Sequence, residues 1–154
     1  YRMELRQIAP ADRNPALVAA LLAVWEASVR ATHHFLSDAA IRQIAGYVPQ
    51  ALGEVPLLAV AYDAQGHAVG FMVAAGGHLE VLFLDPAVRG RGLGQQLLRH
   101  GIHQWGVRSL DVNEQNPQAR GFYEHMGFRV SGRSETDGQG RPYPILSMTL
   151  AQRG

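Results

Sequence analysis

Apolar and polar positions alternate along residues 2–8, with Met3, Leu5 and Gln7 set against Glu4, Arg6 and Ile8, and this period of two predicts a first strand. The period then lengthens. Leu17, Leu21, Trp25 and Val29 fall four apart, with Val18, Leu22 and Val24 beside them, which predicts one helical stripe running from an Asn14 cap to about Thr32. Ser37 opens a second, shorter helix with Ile41, Ile44, Ala45 and Val48 inward, and Pro49 is expected to stop it. Residues 57–62 and 68–74 are β-rich runs around Asp63-Ala64-Gln65-Gly66, so an antiparallel hairpin is predicted. After Gly76-Gly77, residues 78–84 are nearly all apolar, as in a central strand covered on both faces, and Glu80 is its one acid.

A glycine-rich turn follows, then a helix whose apolar face carries Leu93, Leu97, Leu98, Ile102 and Trp105, then a short strand at residues 109–112. Asn116-Pro117 starts another helix through Met126, with Gly127 just past its end. Phe128 to Val130 begins a strand, and residues 143–150 form the last one after the turn at Asp137-Gly138-Gln139-Gly140. This order predicts an α/β fold of the α+β kind, a mixed, mostly antiparallel sheet of six or seven strands with about four helices on both faces.

The chain has 154 residues, enough for one domain spanning residues 1–154 and burying roughly two thirds of its unfolded surface. Apolar residues make up 47% and charged residues 18%, so no disordered tract is expected. A net charge of +1, with the cations dispersed, makes nucleic acid a poor partner. There is no cysteine, which removes disulfides, thiolate metal sites and a cysteine nucleophile, and there is no lysine, which removes a Schiff base and a Walker loop. The longest apolar stretch, residues 16–25, is short of the roughly 20 residues that cross a bilayer. Arg13 ahead of it resembles a leader. Asn14-Pro15, however, opens a helix whose pattern continues through Glu26 and Arg30, so an amphipathic helix and no membrane partner are expected.

The richest chemistry sits in Val88-Arg89-Gly90-Arg91-Gly92-Leu93-Gly94-Gln95, between a buried strand and a helix. Alternate glycines clear side chains from main-chain N–H groups, and the helix start adds a partial positive charge of about half an electron. Together with Arg89 and Arg91 this suits a diphosphate. The dinucleotide fingerprint is excluded, because from Gly90 the third glycine arrives one residue early.

Arg89-x-x-Gly92-x-Gly94 resembles the acetyl-CoA loop of GCN5-related N-acetyltransferases (GNAT), and Asn116-Pro117-x-Ala119-x-x-Phe122-Tyr123-x-x-x-Gly127-Phe128 is similar to that family's second conserved block. Thr32-His33-His34-Phe35-Leu36, Gly76-Gly77-His78-Leu79-Glu80, residues 132–137 and residues 140–144 are similar to its small bacterial YjaB-type branch. The resemblance implies a sheet splayed between its central strands and a cytoplasmic enzyme. It implies an acetyl group moved from acetyl-CoA to a primary amine by direct attack in a ternary complex. A non-catalytic acyl-CoA sensor and a general nucleotide-phosphate binder stand as alternatives. Many relatives pair, so a homodimer is compatible with it.

The same resemblance implies coenzyme contacts at Leu82, Phe83 and Leu84, where family members bulge, at Arg89, Gly90, Arg91, Gly92, Leu93, Gly94 and Gln95, and at Asn116 and Tyr123. It places Tyr123 where a phenol protonates the leaving thiolate. For the base, an acid on a buried strand must face a cavity, a partner or water, which makes Glu80 the first candidate and His78, or water, the next; an ion pair of Glu80 with Arg133 is the structural alternative. Trp25, His33, His34, Phe35 and Met72 are expected to wall the side of a small-molecule or peptide amine, although Trp25 also fits the core stripe of its helix. No metal is expected. His33 and His34 are adjacent and point apart, and His100 and His103 are expected on a solvated helix face.

Overall fold

The computed structural model describes residues 3–151, so Arg2, with which the expected first strand opens, lies outside the described residues. Seven strands form one sheet: β1 (Glu4–Gln7), β2 (Leu57–Tyr62), β3 (Ala68–Ala75), β4 (His78–Leu84), β5 (Ser109–Asn113), β6 (Phe128–Ser134) and β7 (Ile145–Leu150). Their spatial order is β1-β2-β3-β4-β5-β7-β6, and every neighbouring pair is antiparallel except β4 and β5. The helices are α1 (Pro15–Thr32), α2 (Asp38–Ala45), α3 (Val48–Glu54), α4 (Leu93–Trp105) and α5 (Pro117–His125).

Capping fixes where the helices begin. The Asn14 carboxamide accepts from Leu17 N at 2.9 Å and Pro15 supplies a preset φ, so α1 starts where the apolar stripe does. Ser37 caps α2 through Ala40 N at 3.1 Å. The helix expected to run from Ser37 to Val48 divides instead: α2 ends at Ala45, and Pro49, expected as a stop, lies in the first turn of α3. Proline lacks only an N–H that a first turn leaves unpaired, so it starts a helix as readily as it ends one.

Two cores lie on opposite faces of the sheet. Leu21, Val24, Trp25 and Val29 of α1 pack with Ile41, Leu52, Leu58, Val60, Phe71 and Val73 over the β2–β4 half. On the other face Met72, Leu79, Leu93, Leu97 and Leu98 join Leu110, Phe128, Leu146 and Met148, so this core runs under both halves. Each such side chain contributes about 1.5–3 kcal/mol on burial. By length and composition α1 is apolar enough to cross a bilayer, and in the fold its inward face lies on the sheet. His100 is not on a solvated face. It meets Trp105 edge-on at 5.4 Å with a buried Nε2, whereas His103 is exposed.

Arg13 joins pieces distant in sequence. Its guanidinium donates to the carbonyls of Ile8 (3.3 and 3.2 Å), Leu52 (3.1 Å), Pro56 (3.4 Å) and Val55, tying the chain after β1 to the end of α3 and the approach to β2.

The feature that creates a site is a parting of β4 from β5. They pair only at His78↔Ser109 and Leu79↔Leu110 and then diverge. Just there the β3–β4 register slips, with Val73 opposite Val81 and Ala74 opposite Leu79, which leaves Glu80 as an extra residue. A bulge bends its strand and sharpens the twist, which accounts for β4 turning away from β5 beyond Leu79.

Candidate active site

A cleft of about 550 Å³ opens from the parting. One wall is β4 from Glu80 to Leu84; the other is β5 from Asp111 to Asn113; α1 closes one side and α4 and α5 the other. Asp85 N donates to Val69 O at 2.8 Å, continuing the β3–β4 ladder. Antiparallel residues direct their main-chain groups to alternate sides, so Phe83 and Val81 face β3 while the N–H groups of Leu82 and Leu84 point into the cleft. Of the main-chain donors expected at Leu82 to Leu84, those of Leu82 and Leu84 face the cleft and that of Phe83 faces β3. The bulge expected there is displaced: it lies at Glu80, one turn of the pleat earlier.

At the far end stands the glycine-rich turn. Gly90 (φ +78°) and Gly92 (φ +77°) are left-handed, and nothing lies within 4 Å of a Cβ built on either, so both leave open space beside the main chain. Gly94 has a different task. A Cβ there would meet Phe122 Cζ at 3.3 Å and Leu84 Cδ1 at 3.4 Å, so this glycine lets α4 sit close to α5 and β4. Arg89, Gly90, Gly92, Leu93, Gly94 and Gln95 all line the cleft, as do Phe83 and Asn116; Arg91 does not.

Tyr123 reaches the cleft from α5, whose start is fixed by the Asn116 carboxamide accepting from Ala119 N at 3.2 Å. Its ring packs edge-on against Phe122 (5.2 Å) and Phe128 (6.2 Å). Among the described residues no group bonds its hydroxyl, and burial pushes the phenol well above its ordinary value, so it stays a proton donor.

The sequence candidates for the base separate. Glu80 is exposed and lines the cleft from the bulge. The alternative partner Arg133 binds Glu114 instead, at 2.6 Å. His78 turns to β5: Nδ1 lies 2.7 Å from Ser109 Oγ and Nε2 3.3 Å from Asp111 Oδ2, and the ring is not part of the cleft lining. The bulge is the reason, because it breaks the two-residue spacing that would have set His78 beside Glu80.

The expected amine wall is only partly assembled. His33 lines the cleft and lies near Arg89. Phe35 touches His33 (5.4 Å between ring centres) and Tyr143 (5.6 Å), which links the loop after α1 to the segment between β6 and β7. His34 is exposed. Trp25 and Met72 are corrected: both are core residues, Trp25 on the inward stripe of α1 and Met72 against Gly101 of α4. Sequence reasoning missed Ser28, Thr32, Asp111, Asn113, Gln118 and Ile145. A signal existed for two of them, since Ser28 and Thr32 are polar positions on the apolar stripe of Leu21, Trp25 and Val29.

The acetyltransferase (GNAT) domain family matches residues 24–150. The chain belongs to the GNAT family. It is 47% identical over 128 residues to the peptidyl-lysine N-acetyltransferase YjaB of Salmonella typhimurium, covering 83% of this chain and 88% of that protein. Against YjaB of Escherichia coli K12 the identity is 45%, covering 83% and 86%. The solution structure of apo-form YjaB from Escherichia coli superimposes with a TM-score of 0.86 at 38% identity, covering 99% of this chain and 100% of that one. The fold is also that of a Thermoplasma acidophilum PaiA N-acetyltransferase solved with coenzyme A, with a TM-score of 0.67 at 20% identity over 97% and 100% of the two chains. As a GNAT protein the chain is an N-acetyltransferase, and an enzyme is favoured over a non-catalytic sensor.

Proposed function

We propose that this GNAT enzyme acetylates the side-chain amine of lysine in peptides, using acetyl-CoA in a ternary complex in the cytoplasm. The observation that carries the reading is a proton-donating, unpartnered Tyr123 hydroxyl on the same cleft as the inward N–H groups of Leu82 and Leu84. Those N–H groups suit an acyl-carbonyl oxygen as charge develops on it, and one such donor accelerates acyl transfer about a hundredfold or more. The open main chain at Gly90 and Gly92, with Arg89 and the start of α4, suits the diphosphate. A lysine acceptor agrees with the names of the YjaB relatives and with two carboxylates, Glu80 and Asp111, at the parting.

The reaction needs a neutral amine to attack the thioester carbon, after which the C–S bond breaks and the sulfur takes its electron pair. Tyr123 gives its proton to that sulfur and recovers one from solvent. With no cysteine in the chain, no acyl-cysteine intermediate forms, so the amine attacks the thioester directly.

Thiol release measured over lysine peptides, free lysine, polyamines and aminoglycosides tests the reading, beside amide chemical-shift mapping with acetyl-CoA. Lysine peptides should give the highest kcat/KM, and the shifts should cluster at residues 82–95. Mapping elsewhere, or turnover confined to another amine class, would refute it. Glu80→Gln should raise the KM for the peptide about tenfold, the loss of about 1.4 kcal/mol of attraction to the ammonium, with the KM for acetyl-CoA unchanged. Gly92→Val should weaken acetyl-CoA binding at least about tenfold in calorimetric titration, since a β-branched residue at φ +77° costs roughly 1–3 kcal/mol and its side chain occupies the open space.

A further inference from the structure

The end of α1 fixes a proton on one side of an imidazole. Thr32 Oγ1 lies 2.8 Å from the carbonyl oxygen of Ser28 and donates its single proton there, the usual bond of a threonine to the preceding helical turn. The same oxygen is 2.9 Å from His33 Nδ1. Having no proton left to give, Thr32 Oγ1 accepts, so the hydrogen of the neutral ring sits on Nδ1. Nε2 then carries a bare lone pair. Among the described residues it has no hydrogen-bond partner, and it is not among the side-chain atoms sealed away from solvent. His33 is half-buried and lines the cleft together with Ser28 and Thr32, and with Nδ1 held on Thr32 the ring nitrogen left to meet a ligand is Nε2.

The surroundings keep the ring neutral. Burial first, then the positive charges of Arg89 and His34, hold His33 below the ordinary imidazole value. Glu80 and Asp111 line the same cleft from β4 and β5, and Phe35 packs against the ring and in turn against Tyr143. Phe35 restricts the ring by direct contact at 5.4 Å.

We infer that His33 Nε2 is the proton acceptor for the incoming amine, with Thr32 a positioning residue that sets its tautomer. The inference rests on the acetyl-transfer reading above and assigns Glu80 to holding the ammonium. The ammonium N–H bond breaks toward Nε2, the freed lone pair forms the C–N bond, and the C–S bond breaks toward sulfur. The nitrogen gives its second proton to solvent in the cleft as the adduct collapses, which offsets the one Tyr123 takes back. One proton is thereby released to solvent overall, since the thiolate takes one from Tyr123, and the imidazolium, disfavoured beside Arg89, discharges its own through the cleft.

The test combines pH–rate profiles with ring 15N spectra. In the unaltered protein at neutral pH the spectrum should show the proton on Nδ1, and kcat/KM for a lysine peptide should fall on the acid side with an apparent pKa below that of free imidazole. His33→Gln should lower kcat about a hundredfold, as loss of a general base does, abolish that acid limb and leave acetyl-CoA affinity unchanged. His33→Ala should regain part of its rate with added imidazole. Thr32→Val should redistribute the ring proton and slow turnover, with Thr32→Ser restoring both. Turnover of His33→Gln within about threefold of the parent, a surviving acid limb, or a proton on Nε2 in the parent would overturn the inference. If His33→Gln fails to fold, the parent spectrum and the Thr32 pair decide it. An unaltered protein that neither binds acetyl-CoA at residues 82–95 nor turns over any amine would instead refute the acetyl-transfer reading, whereas an active parent with an indifferent His33→Gln refutes this assignment alone.

Discussion

Tyr123→Phe should lower kcat by about a thousandfold, within the range by which a positioned acid accelerates proton transfer, with acetyl-CoA affinity almost unchanged. The ring is held by Phe122 and Phe128, which phenylalanine would meet equally well. What disappears is one hydroxyl with no bonding partner among the described residues, so the melting temperature should hold or rise slightly. The raised phenol pKa also fixes a sign. Tyr123 remains protonated across the working range, and an alkaline decline of kcat in the parent should therefore persist in the variant, at a lower plateau. Stopped-flow thiol release with saturating acetyl-CoA and peptide measures this. A kcat within about threefold of the parent would remove Tyr123 from the chemistry.

The second large effect concerns stability. Arg13→Met should destabilise the fold by about 3 kcal/mol, which for a chain of this size lowers the melting temperature by about 10 °C. Four carbonyls converge on one guanidinium, and methionine replaces the apolar stem while donating nothing. Bonds from a charged donor contribute about 1.5–3 kcal/mol each, and solvent reaching the outermost carbonyls offsets part of the loss. Desolvation lowers the Arg13 pKa, yet a guanidinium starts so far above neutrality that it stays charged. Arg13→Lys should recover little, because one ammonium cannot span carbonyls that a planar fork reaches on both sides. Calorimetric melting of the two variants is the measurement; a shift under about 2 °C for methionine would contradict this role.

Much of the architecture was legible because local signals agreed with one another. The nearly continuous apolar run at residues 78–84 marked the central strand, Asn14 and Asn116 marked helix starts, and Gly90 with Gly92 marked a turn that only glycine adopts at low cost. What escaped depended on atoms far away in sequence. Pro49 reads as a stop until Tyr47 is seen to turn the chain into a new helix. A strand's pattern carries no sign of slippage against its neighbour, so the displacement of Glu80 from His78 was invisible. Trp25 and Met72 have the composition of a ligand wall and the positions of a core, and only packing decides between them. Arg13 was legible only as a cation ahead of an apolar stretch, because its partners are main-chain oxygens without sequence signatures.

An open sheet ordinarily has two unpaired rims, here β1 and β6, and the parting adds two more inside the molecule, along the inner flanks of β4 and β5. Such flanks invite any extended chain with amides at strand spacing. The arm of coenzyme A carries amides of that kind, so under the function proposed above its binding would also complete the sheet. The empty enzyme should accordingly exchange the Leu82 and Leu84 amide hydrogens quickly, and slow them when the co-substrate zips the seam.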